Sequence, residues 1–163
     1  MDICFSNNEV YGVTKEAIYL WDQRKLRIKQ VVRQGLGNTS VRACENNGLL
    51  AVGTRSGVTY LYSKTDLIGE IVREIDNLVT SVSGICASDD GNLLVPFSKW
   101  KRNACRLFDV RDMSILNSWP GLHTKLNYPT AAAFSHSAGY LAVGSANGQI
   151  GVYNLQSTSS NLE

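Results

Sequence analysis

The sequence predicts an all-β protein of about four consecutive four-stranded antiparallel sheets, the blades of a β-propeller whose ring is partial or unclosed. Three observations carry this. No segment shows a long apolar stripe of period 3.6, so helix content is expected near zero. Tracts of β-branched and aromatic residues, such as 17–21 and 58–62, alternate with Gly, Asn, Ser and Asp turn residues. Four segments also repeat one plan: a strand of the Leu-Ala-Val-Gly type, a short polar turn, and a strand ending on an aromatic and a polar residue.

The first segment runs from 9 to 15, then through Ala17-Ile18-Tyr19-Leu20 to Trp21-Asp22. The second runs Gly48-Leu49-Leu50-Ala51-Val52-Gly53-Thr54-Arg55-Ser56-Gly57-Val58 and ends at Tyr62-Ser63. The third is looser, with 93–99 followed by Ala104-Cys105-Arg106-Leu107 and Phe108-Asp109. The fourth, Gly139-Tyr140-Leu141-Ala142-Val143-Gly144-Ser145-Ala146-Asn147-Gly148-Gln149 ending at Tyr153-Asn154, superposes on the second at one offset of 91 residues without a gap. Outermost strands are expected at 25–32, 69–75 and 115–119, and none after Tyr153. Gly57 and Gly148 suit tight turns, where a positive φ costs Gly nothing. Gly53 and Gly144 are expected to allow one sheet to pack closely on the next.

The markers Trp21, Tyr62, Phe108 and Tyr153 lie 41, 46 and 45 residues apart. That period resembles the ~40–45 residues of a WD40 blade. The expected organisation is WD40 blades over 1–155, at about 1–32, 40–75, 80–120 and 129–155, followed by a disordered tail over 156–163. A propeller normally closes a ring of four to eight blades to remove bare sheet edges. Here the last blade lacks its outermost strand, so the chain is expected to be the C-terminal part of a longer protein. Self-pairing of two copies is the alternative.

Composition narrows the function classes. Apolar residues make up 44% and charged residues 18%, a globular composition rather than a disordered one. Lys+Arg 16 against Asp+Glu 14 leaves +2, too little for non-specific nucleic-acid binding to follow from charge alone. The opening Met1-Asp2-Ile3-Cys4 has no basic start followed by an apolar stretch, and apolar runs such as 93–97 are strand-sized. No secretory signal and no membrane association are expected. Cys4, Cys44, Cys86 and Cys105 form no CxxC pair and are expected to fill strand interiors as thiols.

One family can be singled out by ordered pieces of sequence. These are 75–83 (Ile-Asp-Asn-Leu-Val-Thr-Ser-Val-Ser), 98–107 (Ser-Lys-Trp-Lys-Arg-Asn-Ala-Cys-Arg-Leu), Asn117-Ser118-Trp119-Pro120, and Phe134-Ser135 with 137–144. They resemble the U3 small nucleolar RNA-associated protein 18 family of WD40 proteins in the small-subunit processome. Pro96-Phe97 departs from the small-residue and Gly step expected there. The resemblance implies a non-catalytic nucleolar scaffold acting in pre-18S ribosomal RNA processing and small-subunit assembly. Its implied partners are other WD40 subunits, U3 small nucleolar RNA and pre-ribosomal RNA, with no small-molecule substrate. A WD40 adaptor of another assembly, such as a ubiquitin-ligase substrate reader, is the alternative.

The residues with most chemistry to offer are Lys99, Trp100, Lys101 and Arg102, three cations around an aromatic in a turn. They are the candidate RNA or partner contact, able to meet phosphates and stack a base, or to anchor a protein interface. Arg24, Lys25, Arg27 and Lys29 read as charges protecting an edge strand. Asp22 and Asp109 close their strands in structural roles, and Asp89-Asp90-Gly91 signals a turn. His123 and His136 lack a nucleophile or acid at a telling distance, and His136 reads as a polar turn residue. No catalytic residue, cofactor or metal site is expected.

Overall fold

Stretches of alternating β-branched and aromatic residues, punctuated by turn formers every five to seven positions, fold as hairpins. In a computed structural model, which describes residues 1–25, 27–67, 71–117, 119–121 and 124–155, the chain is all-β, with no helix among the described residues. The first sheet holds β1 (Asp2–Ser6), β2 (Glu9–Val13), β3 (Ala17–Asp22) and β4 (Arg27–Arg33). The second holds β5 (Asn38–Cys44), β6 (Leu49–Thr54), β7 (Thr59–Ser63) and β8 (Arg73–Ile75). The third holds β9 (Gly84–Ala87), β10 (Leu93–Phe97), β11 (Phe108–Asp109) and β12 (Ser114–Ile115), and the fourth β13 (Pro129–Phe134), β14 (Tyr140–Ser145) and β15 (Ile150–Asn154). Every sheet is an antiparallel meander in sequence order. The first strands β1, β5, β9 and β13 are neighbours in succession, so the sheets fan out from them as blades of a partial propeller.

Burial follows from this stacking. In a strand, successive side chains face opposite ways, so a sheet between two others must be apolar on both faces. β6 is buried along its whole length. Its Leu50 and Val52 join Tyr11, Val13, Ile18 and Leu20 in a core between the first two sheets. Its Leu49 and Ala51 join Leu61, Ile85, Leu94 and Phe108 in a core between the second and third. A third core unites Val95, Leu107 and Trp119 with Leu141 and Val143 of the fourth sheet. The four thiols lie within these cores, all buried and free. Burial pushes Cys4 up to about 11 and Cys44 and Cys105 up to about 12.

The outermost strands are shorter or shifted from expectation. The first starts at Arg27 rather than residue 25, because the Asp22 carboxylate accepts the backbone N–H of Arg24 at 2.9 Å and of Lys25 at 3.2 Å, holding both in a turn. The second is Arg73–Ile75, and residues 68–70 of the expected strand lie outside the described residues. The third ends at Ile115. Beyond it the chain turns, the N–H of Trp119 reaching Leu116 O at 3.3 Å, and Trp119 enters the core edge-on to Tyr153 at 5.5 Å. The expected strand over 104–107 is also reduced to a bridge between Phe97 and Cys105. Pro96 O accepts the N–H of Arg106 at 3.2 Å, but Pro96 has no N–H to return, so the ladder is one-sided there. The tail over 156–163 lies outside the described residues.

Candidate functional site

A four-stranded meander sorts its connections onto two rims. Turns after the first and third strands of each sheet fall on one rim, and turns after the second strand fall on the other with the links between sheets. The first rim is held across sheets by side chains: Ser6 Oγ donates to Glu45 at 2.8 Å, and the Asn47 side-chain amide donates to Gly91 O at 2.7 Å. His136 Nδ1 lies 2.7 Å from Asp89 Oδ2. Two of its cations are matched by acids, with Lys64 3.5 Å from Glu45 and Arg111 3.0 Å from Asp109. Burial alone would raise the Asp109 carboxyl, but hydrogen bonds from the Arg111 side chain and N–H and from the Asp112 N–H hold it below the usual carboxylate range. Asp22 and Asp109 therefore cap the turns that follow their strands. His136 is an exposed link between the third and fourth sheets, and His123 lies outside the described residues.

The second rim is different. Its turns begin with a hydroxyl residue whose N–H closes the hairpin: Thr14 to Ala17 O at 2.9 Å, Thr54 to Val58 O at 2.9 Å, Ser98 to Ala104 O at 2.8 Å and Ser145 to Gln149 O at 2.9 Å. The next residue is Lys15, Arg55, Lys99 and Ala146 in turn. Three equivalent turn positions therefore present a cation on one rim. Among the described residues, Lys15, Arg55, Lys99, Lys101 and Arg102 have no carboxylate within ion-pair distance.

Lys99, Trp100, Lys101 and Arg102 come together in a single turn of this rim, between β10 and β11. Its base is braced on both sides. Thr80 Oγ1 donates to Ser98 Oγ at 2.8 Å and the Lys99 N–H donates to Ser83 Oγ at 3.0 Å. On the other side the Asn103 N–H donates to Leu126 O and the Leu126 N–H donates to Asn103 Oδ1, both at 2.8 Å. The tip is open, with Trp100 64% exposed although it is the largest side chain there. Lys99 Nζ lies 5.2 Å from the Trp100 ring centre, and the Arg102 guanidinium 5.6 Å from that of Tyr128. A braced turn with an exposed ring and unpaired cations can stack a flat group and meet an anion at little ordering cost.

Sequence reading missed what lies beside this turn. A cavity of about 580 Å³ on the same rim is lined by Lys15, Asn38, Arg55, Thr80 and Trp100, drawn from the first three sheets and the links between them. Asn38 is 1% exposed, and neither its amide N nor its carbonyl O has a hydrogen-bond partner among the described residues. The signal that could have found Lys15 and Arg55 was the hydroxyl–cation pair repeated at equivalent turns. No signal marked Asn38. Among the described residues no cluster of three His, Cys, Asp or Glu side chains could hold a metal ion, and no helix is long and apolar enough to cross a membrane.

The glycines divide. A Cβ on Gly53 would meet Ser40 Oγ and Val82 Cγ1, each at 2.5 Å, and Val82 belongs to the link leading into the third sheet. The close approach expected there is real. At Gly144 the nearest atom would be Ala131 Cβ of its own sheet at 3.8 Å, so no neighbouring sheet approaches it among the described residues. The fourth sheet has no following sheet against it among the described residues. Gly57 sits at φ 98° with Leu78 O against it, and Gly148 at φ 80° in open space.

No family model matches the chain. It is 30% identical over 138 residues, 82% of its length, to the probable U3 small nucleolar RNA-associated protein 18 of Schizosaccharomyces pombe. It is 34% identical over 115 residues, 68% of its length, to U3 small nucleolar RNA-associated protein 18 of Saccharomyces cerevisiae. It is 26% identical over 157 residues, 91% of its length, to the human homologue of that name. The chain spans 26%, 19% and 28% of those three proteins, roughly a quarter of the relatives it matches.

Proposed function

We propose, from the premise that this chain is a homologue of the proteins named U3 small nucleolar RNA-associated protein 18, that it acts in ribosome biogenesis as part of a U3-containing ribonucleoprotein. The observation that carries this reading is similarity to proteins of that one name, in fungi and in human, over 68–91% of the chain. The finer reading is a non-catalytic WD40 scaffold of the small-subunit processome, working in the nucleolus on pre-18S ribosomal RNA. It docks on sister WD40 subunits and helps hold U3 small nucleolar RNA on its target. Stacked sheets with three shared cores suit a rigid platform, since each sheet is positioned by its neighbours. The turn carrying Lys99, Trp100, Lys101 and Arg102 is the candidate contact, because it is braced at its base and open at its tip.

A tagged pull-down of this chain from its own cells tests the reading. Recovery of U3 RNA together with processome subunits is the expected result. Changing Lys99, Lys101 and Arg102 to Ala is expected to reduce that recovery several-fold while the protein stays folded. A folded chain that recovers neither RNA nor those subunits overturns the assignment.

A further inference from the structure

The second rim holds more than one exposed turn. The Lys15 and Arg55 turns approach the Trp100 turn across the cavity, and backbone hydrogen bonds fix the first two to Gly37 and to Asn38 at the start of β5. The N–H groups of Gly37 and Asn38 donate to Lys15 O at 3.0 and 3.3 Å, and the Arg55 N–H donates to Gly37 O at 2.9 Å. Two cations without carboxylate partners, a buried amide with both its donor and its acceptor unused, and an exposed indole therefore border one concavity. A buried amide left unpaired is unfavourable, and a native fold keeps few such groups. Matching all three needs negative charge, a group that both donates and accepts hydrogen bonds, and a flat ring. A nucleotide in a single strand has phosphate, base edge and base face in one unit. An acidic peptide supplies the charge and a backbone amide but no ring for Trp100 unless an aromatic residue is added.

We propose that this cavity is a binding site for single-stranded RNA, with phosphates on Lys15 and Arg55, a base edge toward Asn38 and a base stacked on Trp100. The choice of RNA over an acidic peptide rests on the ribonucleoprotein reading above; the requirement for an anion does not. The site adds Lys15, Asn38 and Arg55 to the turn at 99–102. Phosphates are held by charge in a sequence-independent way, so affinity falls with salt.

The test uses the purified full chain with a fluorescein-labelled ten-nucleotide oligouridylate, read by anisotropy over a salt series. Saturable binding that weakens with salt is expected. Lys15→Gln with Arg55→Gln should lower affinity roughly tenfold and reduce the salt slope by about 1.4, from ~0.7 per phosphate contact on a single strand. Trp100→Ala should lower affinity about 5- to 150-fold, as for loss of one stacked base. Asn38→Leu should weaken binding without lowering the melting temperature, since it removes unpaired polar atoms. If Asn38 serves only the fold, the same change lowers melting and leaves binding intact. Arg24→Gln with Lys25→Gln, on the opposite rim, should change nothing. Unaltered binding in a folded Lys15/Arg55 variant overturns the site, as does a ten-residue oligoglutamate that competes as well as RNA. Because the assay contains no partner, its failure is separate from the pull-down: U3 RNA recovered by a chain that binds no oligonucleotide overturns this site and leaves the assembly reading standing.

Discussion

The second and fourth sheets carry nearly the same sequence, 91 residues apart, and live in different surroundings. On the face toward the preceding sheet they behave alike: Leu50 and Val52 are fully buried, and so are Leu141 and Val143. On the other face they part. Leu61 is fully buried against the third sheet, while its counterpart Val152 is 65% exposed. Thr59 is buried and its counterpart Ile150 is exposed. The repeat thus encodes two apolar faces in each sheet, but burial of a face depends on a neighbour that the repeat itself does not supply. An apolar face kept beside open solvent is a surface made for covering.

The largest expected effect tests this contrast directly. Leu61→Ala should cost about 2–5 kcal/mol, the range for emptying a tight core site, whereas Val152→Ala should stay within ~0.5 kcal/mol in urea denaturation. Comparable losses at both positions would mean that Val152 is covered in solution, and the contrast would break. Next comes the glycine pair. Gly53→Ala should cost about 1–3 kcal/mol because Ser40 and Val82 must give way. Gly144→Ala has room and should be neutral or stabilising by ~0.4–1 kcal/mol. A penalty at Gly144 would point to a sheet packed against it. The smallest effect is kinetic. Cys105 and Cys44 have similarly raised thiols, so their native labelling reports opening of the surrounding core. Cys86 and Cys105 border the singly covered fourth sheet and should react with a thiol reagent before Cys44, as read by mass spectrometry. Simultaneous labelling would show that all the sheets open as one unit.

The repeated sheets were legible because hairpin chemistry is local. A polar turn, an alternating strand and an aromatic end declare themselves within about twenty residues, and Trp21, Tyr62, Phe108 and Tyr153 fall at one position of the plan. Strand ends were less legible because they depend on side chains several residues away. Asp22 delays β4 by gripping two backbone N–H groups. Trp119 leaves the expected outer strand for a core whose other half comes from the fourth sheet. The turn at 99–102 could be found as a run of cations around an aromatic. Lys15, Asn38 and Arg55 could not be found that way, since they are separated by 23 and 17 positions and meet only when sheets stack. Gly144 matches Gly53 in sequence, but among the described residues no neighbouring sheet approaches it as Val82 approaches Gly53.

The sorting of turns onto two rims has a consequence for motion before contact. One rim carries Lys15, Arg55, Lys99, Lys101 and Arg102 with no carboxylate at ion-pair distance among the described residues, while the other pairs Lys64 and Arg111 with Glu45 and Asp109. A body charged in this way is a dipole, and the field of a polyanion turns it as well as pulling it. Within about a Debye length, ~10 Å at 0.1 M salt, the torque aligns the cationic rim with the approaching strand, so fewer collisions are spent on the wrong side. A net charge of only +2 is no measure of that effect, which depends on where the charges stand.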